Sequence, residues 1–213
     1  MPAHGEVEGV DDAAIADLDR AWAEIRPDVV RRLMVAATQE FATRGYHGTA
    51  TRDIAARAGL SPAGVYVHFK SKEELLYRIS LIGHRHALAH IRDAVDGIDE
   101  PVERLRHMVS AFSSWHARWH LPTRVIQYEI GALADAHYAE IAAIRREIDA
   151  VVRQTLDHGV ARGIFDIPDV AGAALALLSL SVDVARWYRP SGPRSPEDIG
   201  RLHADLAVRM FRA

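Results

Sequence analysis

Tyr66 and His68 can each donate a hydrogen bond, and both lie in "GLSPAGVYVHF" (59–69), where a helix opens on residues too small to fill a core. Gly59 supplies a tight turn, and Ser61 and Pro62 read as the N-cap and first residue of that helix. Ala63 and Gly64 come next and leave its first turn nearly bare. A bare first turn can approach another molecule closely. There, backbone N–H groups and the positive end of the helix dipole can meet phosphate, with Tyr66 and His68 as further donors. Val65 and Phe69 are the residues that would fasten this helix to a core, while Val67 lies on another face. An ordinary helical hairpin would leave the bare turn without a purpose.

Charge along the chain supports the same chemistry. The net charge is −3, but it is segregated. Residues 1–26 hold seven acids against Arg20 and Arg26. Residues 27–72 reverse this, with Arg31, Arg32, Arg44, Arg52, Arg57, Lys70 and Lys72 against Asp28, Glu40 and Asp53. A local basic footprint is what a phosphate backbone requires, although a solvated helical surface has the same composition.

Other chemistries find little support. The chain has no cysteine, which excludes disulfides, thiolate metal sites and a cysteine nucleophile. It has no Gly-rich phosphate loop after a strand, no G-x-S-x-G and no H-E-x-x-H, so no enzyme is expected. Ser110, Ser113 and Ser114 lie near His116 only as helical neighbours. His86/His90 and His116/His120 are i, i+4 pairs that could each offer two nitrogens to zinc or nickel. A structural site wants four ligands, so neither metal nor cofactor is expected. The N-terminus lacks a signal-peptide pattern, and the apolar run 170–182 is short for a bilayer. The expectation is a soluble cytoplasmic protein with no membrane partner.

The elements that must position these residues are helical throughout, so the fold class is all-α. Residues 1–26 read as a mobile acidic arm with a helical turn or two. Val30, Leu33, Met34, Ala37 and Phe41 then make one apolar stripe between Pro27 and a stop at Gly45. "TRDIAARA" is a short helix with Ile54, Ala55 and Ala58 inward, and Ser71 to Glu74 reads as a capping box for a longer one. Helical segments follow at 99–120, 122–135, 139–163, 168–189 and from Ser195 onward. The segment at 168–189 is apolar almost all round and should be covered on both faces. Two short helices joined by a tight glycine turn fit a helix-turn-helix, whose second helix enters the major groove.

The run "AATQEFATRGYHGTATRDIAARAGLSPAGVYVHFKSKEELL" (36–76) resembles the DNA-binding domain of the TetR family of transcriptional repressors. The resemblance implies a helix-turn-helix domain over 27–76 and a helical ligand-binding and dimerisation domain over 77–213. It implies contacts to double-stranded operator DNA by Thr51, Arg52, Ser61, Pro62, Ala63, Gly64, Tyr66, His68 and Lys72. Where the family often has adjacent threonines, Thr49 and Thr51 flank Ala50, so the N-cap falls on either. Arg52 suits guanine or phosphate, and Ala63 or Val67 suits a thymine methyl.

The segment 184–200 resembles a subgroup that includes regulators of lipid and steroid breakdown, some of them released from DNA by acyl-CoA thioesters. A small-molecule effector is therefore expected in a mainly apolar pocket, which Trp115, Trp119, Ile126, Tyr128 and Leu133 could line. Arg124, Arg145 or Arg186 would meet its phosphate or carboxylate. For any single aromatic, core is the better reading, and only the pocket as a whole is expected. Asp183 is a ligand contact or, by preference, the ion-pair partner of Arg186 or Arg189. Leu177, Leu180, Ile199, Leu202, Leu206 and Met210, on the last two long helices, would join two copies in a four-helix bundle. The expected function is a homodimeric repressor that reads a palindrome and is released by its effector. A metal-responsive regulator of the same fold and a helical lipid-binding protein or enzyme are the alternatives.

Overall fold

The apolar stripe that follows Pro27 becomes a helix that is buried on nearly all sides over residues 33–38. Leu33, Met34, Ala37 and Phe41 are all buried. The computed structural model describes residues 12–211. Its helices are α1 (Asp12–Ala21), α2 (Asp28–Gly48), α3 (Thr51–Arg57), α4 (Pro62–Tyr66), α5 (Lys72–Val95) and α6 (Pro101–Arg118). They continue as α7 (His120–Glu129), a 3-10 turn (Ile130–Ala132), α8 (Asp135–Ala161), α9 (Val170–Val182), α10 (Val184–Trp187) and α11 (Pro196–Phe211). No strand occurs among the described residues. The protein is all-α, as its sequence leads one to expect.

Contacts divide the chain into two compact units. One runs up to Ile82 and takes in Leu121–Tyr138; the other comprises Gly83–His120 and the described residues from Ala139 onward. The sequence places a boundary at 76/77 and assigns everything beyond it to one domain. The structure instead puts the break inside α5 and gives α7 to the first unit. The physical reason lies in Glu73, whose carboxylate accepts hydrogen bonds from Ala134 and His137 and so draws that segment to the start of α5.

The first unit also incorporates α1. Leu18 and Trp22 are buried, and Arg31 of α2 pairs with Asp19 and Asp28. Residues 12–26 are therefore not a free acidic arm. Residues 1–11, the remainder of that expected arm, lie outside the described residues.

In the second unit α11 packs along α6. The approach is close because Gly200 faces the backbone of Ser110: a Cβ there would sit 2.5 Å from the Ser110 carbonyl oxygen. Ala204, Ala207 and Val208 continue the buried face of α11. A small cluster of Ala117, Val184, Tyr188 and Ile199 closes one end. Polar groups also enter this interior. Ser113 donates to Ser181 at 3.0 Å, and His203 Nδ1 lies 3.0 Å from the Ser113 hydroxyl.

The expectation that α9 is covered on both faces does not hold within the protomer. Ala174, Leu177 and Ser181 are buried, but Gly172, Leu175, Ala176 and Ser179 face outward along one stripe. The run Val170–Trp187 is 18 residues with a mean hydropathy of 1.4, long and apolar enough to cross a membrane by composition. It is broken at Asp183 and packs on α6 and α11.

His116 gives the second unit an acid limit. Burial, above all, pushes its pKa from 6.5 down to about 4, with His84 and His90 adding to the effect and its bond to the Phe112 carbonyl opposing it. The unfolded chain therefore takes up the proton first. Stability is complete above about pH 6.5 and falls as pH drops toward 4. Urea unfolding at pH 7 and pH 5 should show a loss of about 2 kcal/mol from this group. His116→Gln should flatten that part of the profile.

Candidate nucleic-acid interface

The recognition segment is held by three polar devices. Gly45 adopts φ +71° and ends the regular part of α2. Lys72 Nζ donates to two carbonyls beyond it, those of Tyr46 and Thr49, at 2.6 Å each, and sits 4.2 Å from the centre of the Tyr46 ring; the Tyr46 carbonyl also accepts from the Thr49 N–H at 3.3 Å. Burial lowers the pKa of this ammonium, and the neighbouring Glu129 opposes the shift. The buried Thr49 hydroxyl donates to the carbonyls of Gly45 and Glu40, at 2.8 and 3.1 Å.

Beneath these, Glu40 carries a buried carboxylate. Arg57 at the end of α3 donates to it at 2.5 Å, and Arg44 lies 3.5 Å away. A carboxylate this deep is tolerated only when paired. It ties α2 to α3. Asp53 completes α3 by accepting from the Ala50 N–H at 3.1 Å.

The turn and α4 follow from local chemistry. Gly59 takes φ +71°, which a side chain would resist, and Pro62 stands at N1. Ser61 Oγ accepts from the Gly64 N–H at 3.2 Å. Val65 and Phe69 are buried and anchor α4. Ser61, Pro62 and Ala63 are exposed, Tyr66 is 56% exposed and Val67 77%. Arg52 is exposed and stands 3.6 Å from Asp53. Thr51, Gly64 and His68 are half-buried on the same hairpin.

Two expected contacts change role. Thr49 is neither the N-cap nor available to phosphate, because its hydroxyl is spent on α2. The N-cap of α3 is Ala50, and the capping acceptor comes from Asp53. Lys72 aims its ammonium at carbonyls of its own chain, so it positions the hairpin. The basic count in the sequence also overstates the charge left for phosphate. Arg31, Arg44 and Arg57 are each matched by Asp19, Asp28, Glu40 or Asp53, which sequence distance hides.

The residues expected to line an effector pocket divide between the units. Ile126 and Leu133 are buried, Arg124 is half-buried and Tyr128 is exposed, all in the first unit. Trp115 and Trp119 are half-buried in the second. Asp183 forms the favoured ion pair, accepting two hydrogen bonds from Arg186 at 2.7 and 2.8 Å, which lowers its pKa. Arg145 is exposed. An open cavity of about 470 Å³ is lined by Ser179, Leu180, Val182, Asp183, Trp187 and His203. Only Asp183 of the expected pocket residues borders it. His203 and its serine partners were missed because their meeting requires α6, α9 and α11 to pack together.

His116 and His120 direct Nδ1 to the carbonyls of Phe112 and Ala117, at 2.8 and 3.0 Å, while His86 is exposed. Among the described residues no three His, Asp or Glu side chains form a metal-binding group.

The fold and this exposed, firmly anchored hairpin define a helix-turn-helix DNA-binding regulator. Residues 33–79 match the bacterial regulatory proteins of the tetR family, and residues 99–211 match a tetracyclin repressor-like C-terminal domain. The chain is 31% identical over 183 residues to the HTH-type transcriptional repressor KstR2 of Mycobacterium tuberculosis, covering 83% of this chain and 89% of that protein. A tetR-family regulatory protein from Rhodococcus RHA1 superposes with a TM-score of 0.84 at 40% identity, covering 88% of this chain and 98% of that one. AibR, solved in complex with isovaleryl coenzyme A and operator DNA, superposes with a TM-score of 0.76 at 26% identity, covering 86% and 98%. The chain belongs to the TetR family of transcriptional regulators.

Separate substitutions distinguish contact from positioning. Tyr66→Phe should weaken binding to every DNA sequence by about 1 kcal/mol, read by anisotropy titration. Lys72→Met should lower unfolding stability by about 1–3 kcal/mol while leaving the salt slope of the residual DNA binding unchanged.

Proposed function

We propose that this protein is a homodimeric, effector-released repressor that reads a palindromic operator. The observation that carries the reading is the outward face of the helix-turn-helix. Tyr66 and Val67 are held in water by a helix whose other side, Val65 and Phe69, is locked into the core. Exposed side chains beside a bare helix start, backed by a fixed core face, suit close approach to a groove of DNA. Val67 and Ala63 suit thymine methyls, Arg52 suits guanine or phosphate, and Thr51, Ser61, Tyr66 and His68 suit phosphate oxygens.

The dimer is supported by a second exposed apolar face. Leu175 of α9 is 65% exposed, and Leu206 and Met210 of α11 are exposed as well. Leu180 and Leu202 are half-buried beside them, whereas Leu177 and Ile199 lie inside the protomer and support these helices from beneath. Small residues at Gly172, Ala176 and Ser179 permit close approach by a second copy. A two-fold pair would set two recognition helices about 34–36 Å apart, one turn of DNA. The effector is an apolar metabolite with an anionic handle, an acyl-CoA thioester first. AibR, solved with isovaleryl coenzyme A and operator DNA, supports this class. Release by about a hundredfold needs a coupling of roughly 3 kcal/mol between the two sites. DNA as partner places the protein in the cytoplasm.

Anisotropy titration against the DNA upstream of its own gene, with and without acyl-CoA thioesters, tests the reading. Palindrome-dependent binding that thioester weakens is the expected result. Binding indifferent to every thioester would sink the effector class. Failure to select any sequence from a randomised pool would sink the repressor. Leu175→Glu with Leu206→Glu should give monomers in analytical ultracentrifugation and at least a tenfold loss in operator affinity, on the order of 1.4 kcal/mol.

A further inference from the structure

Two neighbouring residues of opposite charge open α5, and each grips a different piece of chain. Lys72 holds the carbonyls of Tyr46 and Thr49. Glu73 turns to the other side. Its Oε1 accepts from the Ala134 N–H at 2.9 Å and from His137 Nδ1 at 2.8 Å. The His137 ring also lies flat on Tyr77, one turn further along α5, with centroids 3.7 Å apart and planes within 6°. Ala134 and His137 bracket the start of α8. Glu129, at the end of α7, stands 3.4 Å from where a Cβ on Gly45 would be. All of these groups belong to one compact unit.

Simple capping of α8 is the plainer role for Glu73. Elsewhere in this chain, however, such caps are local: Asp169 accepts from Gly172 for α9, and Glu100 accepts from Glu103 for α6. The acceptor at α8 comes from 61 residues away in sequence and binds two donors at once. A stacked ring reinforces the arrangement. The same helical turn carries the ammonium that fixes where α3 begins.

We infer that Glu73 is a positioning residue for operator binding. Through Ala134 and His137 it locks the first turn of α5 to the α7–α8 turn, and through Lys72 that turn sets the recognition hairpin. The inference rests on the operator binding proposed above.

The test uses full-length Glu73→Ala, Glu73→Gln and His137→Phe. Each is titrated against a duplex that the wild type selects from a randomised pool, and against a scrambled duplex of equal length. Melting temperature and hydrogen exchange over residues 46–52 are measured in parallel. Glu73→Ala should lose about tenfold in operator affinity, the scale of a charged hydrogen bond, while scrambled-duplex affinity moves by no more than roughly twofold. Residues 46–52 should exchange faster. Glu73→Gln keeps an acceptor oxygen and should recover most of the affinity. His137→Phe keeps the stack without the hydrogen bond and should fall between the two. Unchanged operator affinity and exchange in Glu73→Ala would overturn the inference. So would a loss on both duplexes that follows the melting temperature, because that is a folding defect alone. If the wild type selects no sequence, the repressor reading falls and exchange decides the matter: faster exchange at 46–52 supports the lock, and unchanged exchange removes it.

Discussion

Closure of the chain between Tyr46 and Lys72 is the constraint on which the N-terminal unit depends. A helix of seven residues and another of five cannot persist alone in water, since each offers few hydrogen bonds for the backbone entropy it costs. They persist here because both ends of the segment are pinned. Gly45 ends the regular path of α2, and the carbonyls beyond it are collected by an ammonium that also anchors the next long helix. The pair between Glu40 and Arg57 acts inside this closure. Removing Arg57 would leave the buried Glu40 carboxylate with only Arg44 nearby, which costs far more than the pair contributes when intact.

Charge in this unit is mostly committed internally. Arginines that read as a phosphate-binding surface are matched by carboxylates of α1, α2 and α3. Exposed here are Arg32, Arg52, Lys70, Tyr66 and Val67, and His68 is half-buried. On the proposed operator-binding reading such a face would hold DNA through few strong contacts, so groups that position it, such as Lys72 and Glu73, would bear on recognition.

The second unit solves a different problem. It packs α6 against α11 at glycine distance, then admits a polar strip of Ser113, Ser181 and His203 into the interior. Each member of that strip has a partner, which keeps the burial affordable. The unit leaves the apolar stripe of α9 uncovered.

The sequence by itself determined the helices, their order and the recognition hairpin, because these rest on local signals. A 3.6-residue apolar period, Gly45 and Gly59 at turns, and Ser61-Pro62 at a helix start act within a few residues of themselves. The outward placement of Tyr66 and Val67 against anchored Val65 and Phe69 follows from the same periodicity. Only the tertiary structure decided what Thr49, Lys72, Glu73 and Trp22 do. Thr49 and Lys72 have the residue types of phosphate donors, and nothing nearby in sequence shows that α2 claims both. Glu73 meets His137 across 64 residues, and Trp22 looks like part of a solvated arm until α2 is laid beside it. Hydrogen bonds and burial between distant segments depend on where the chain returns, and no local pattern encodes that return.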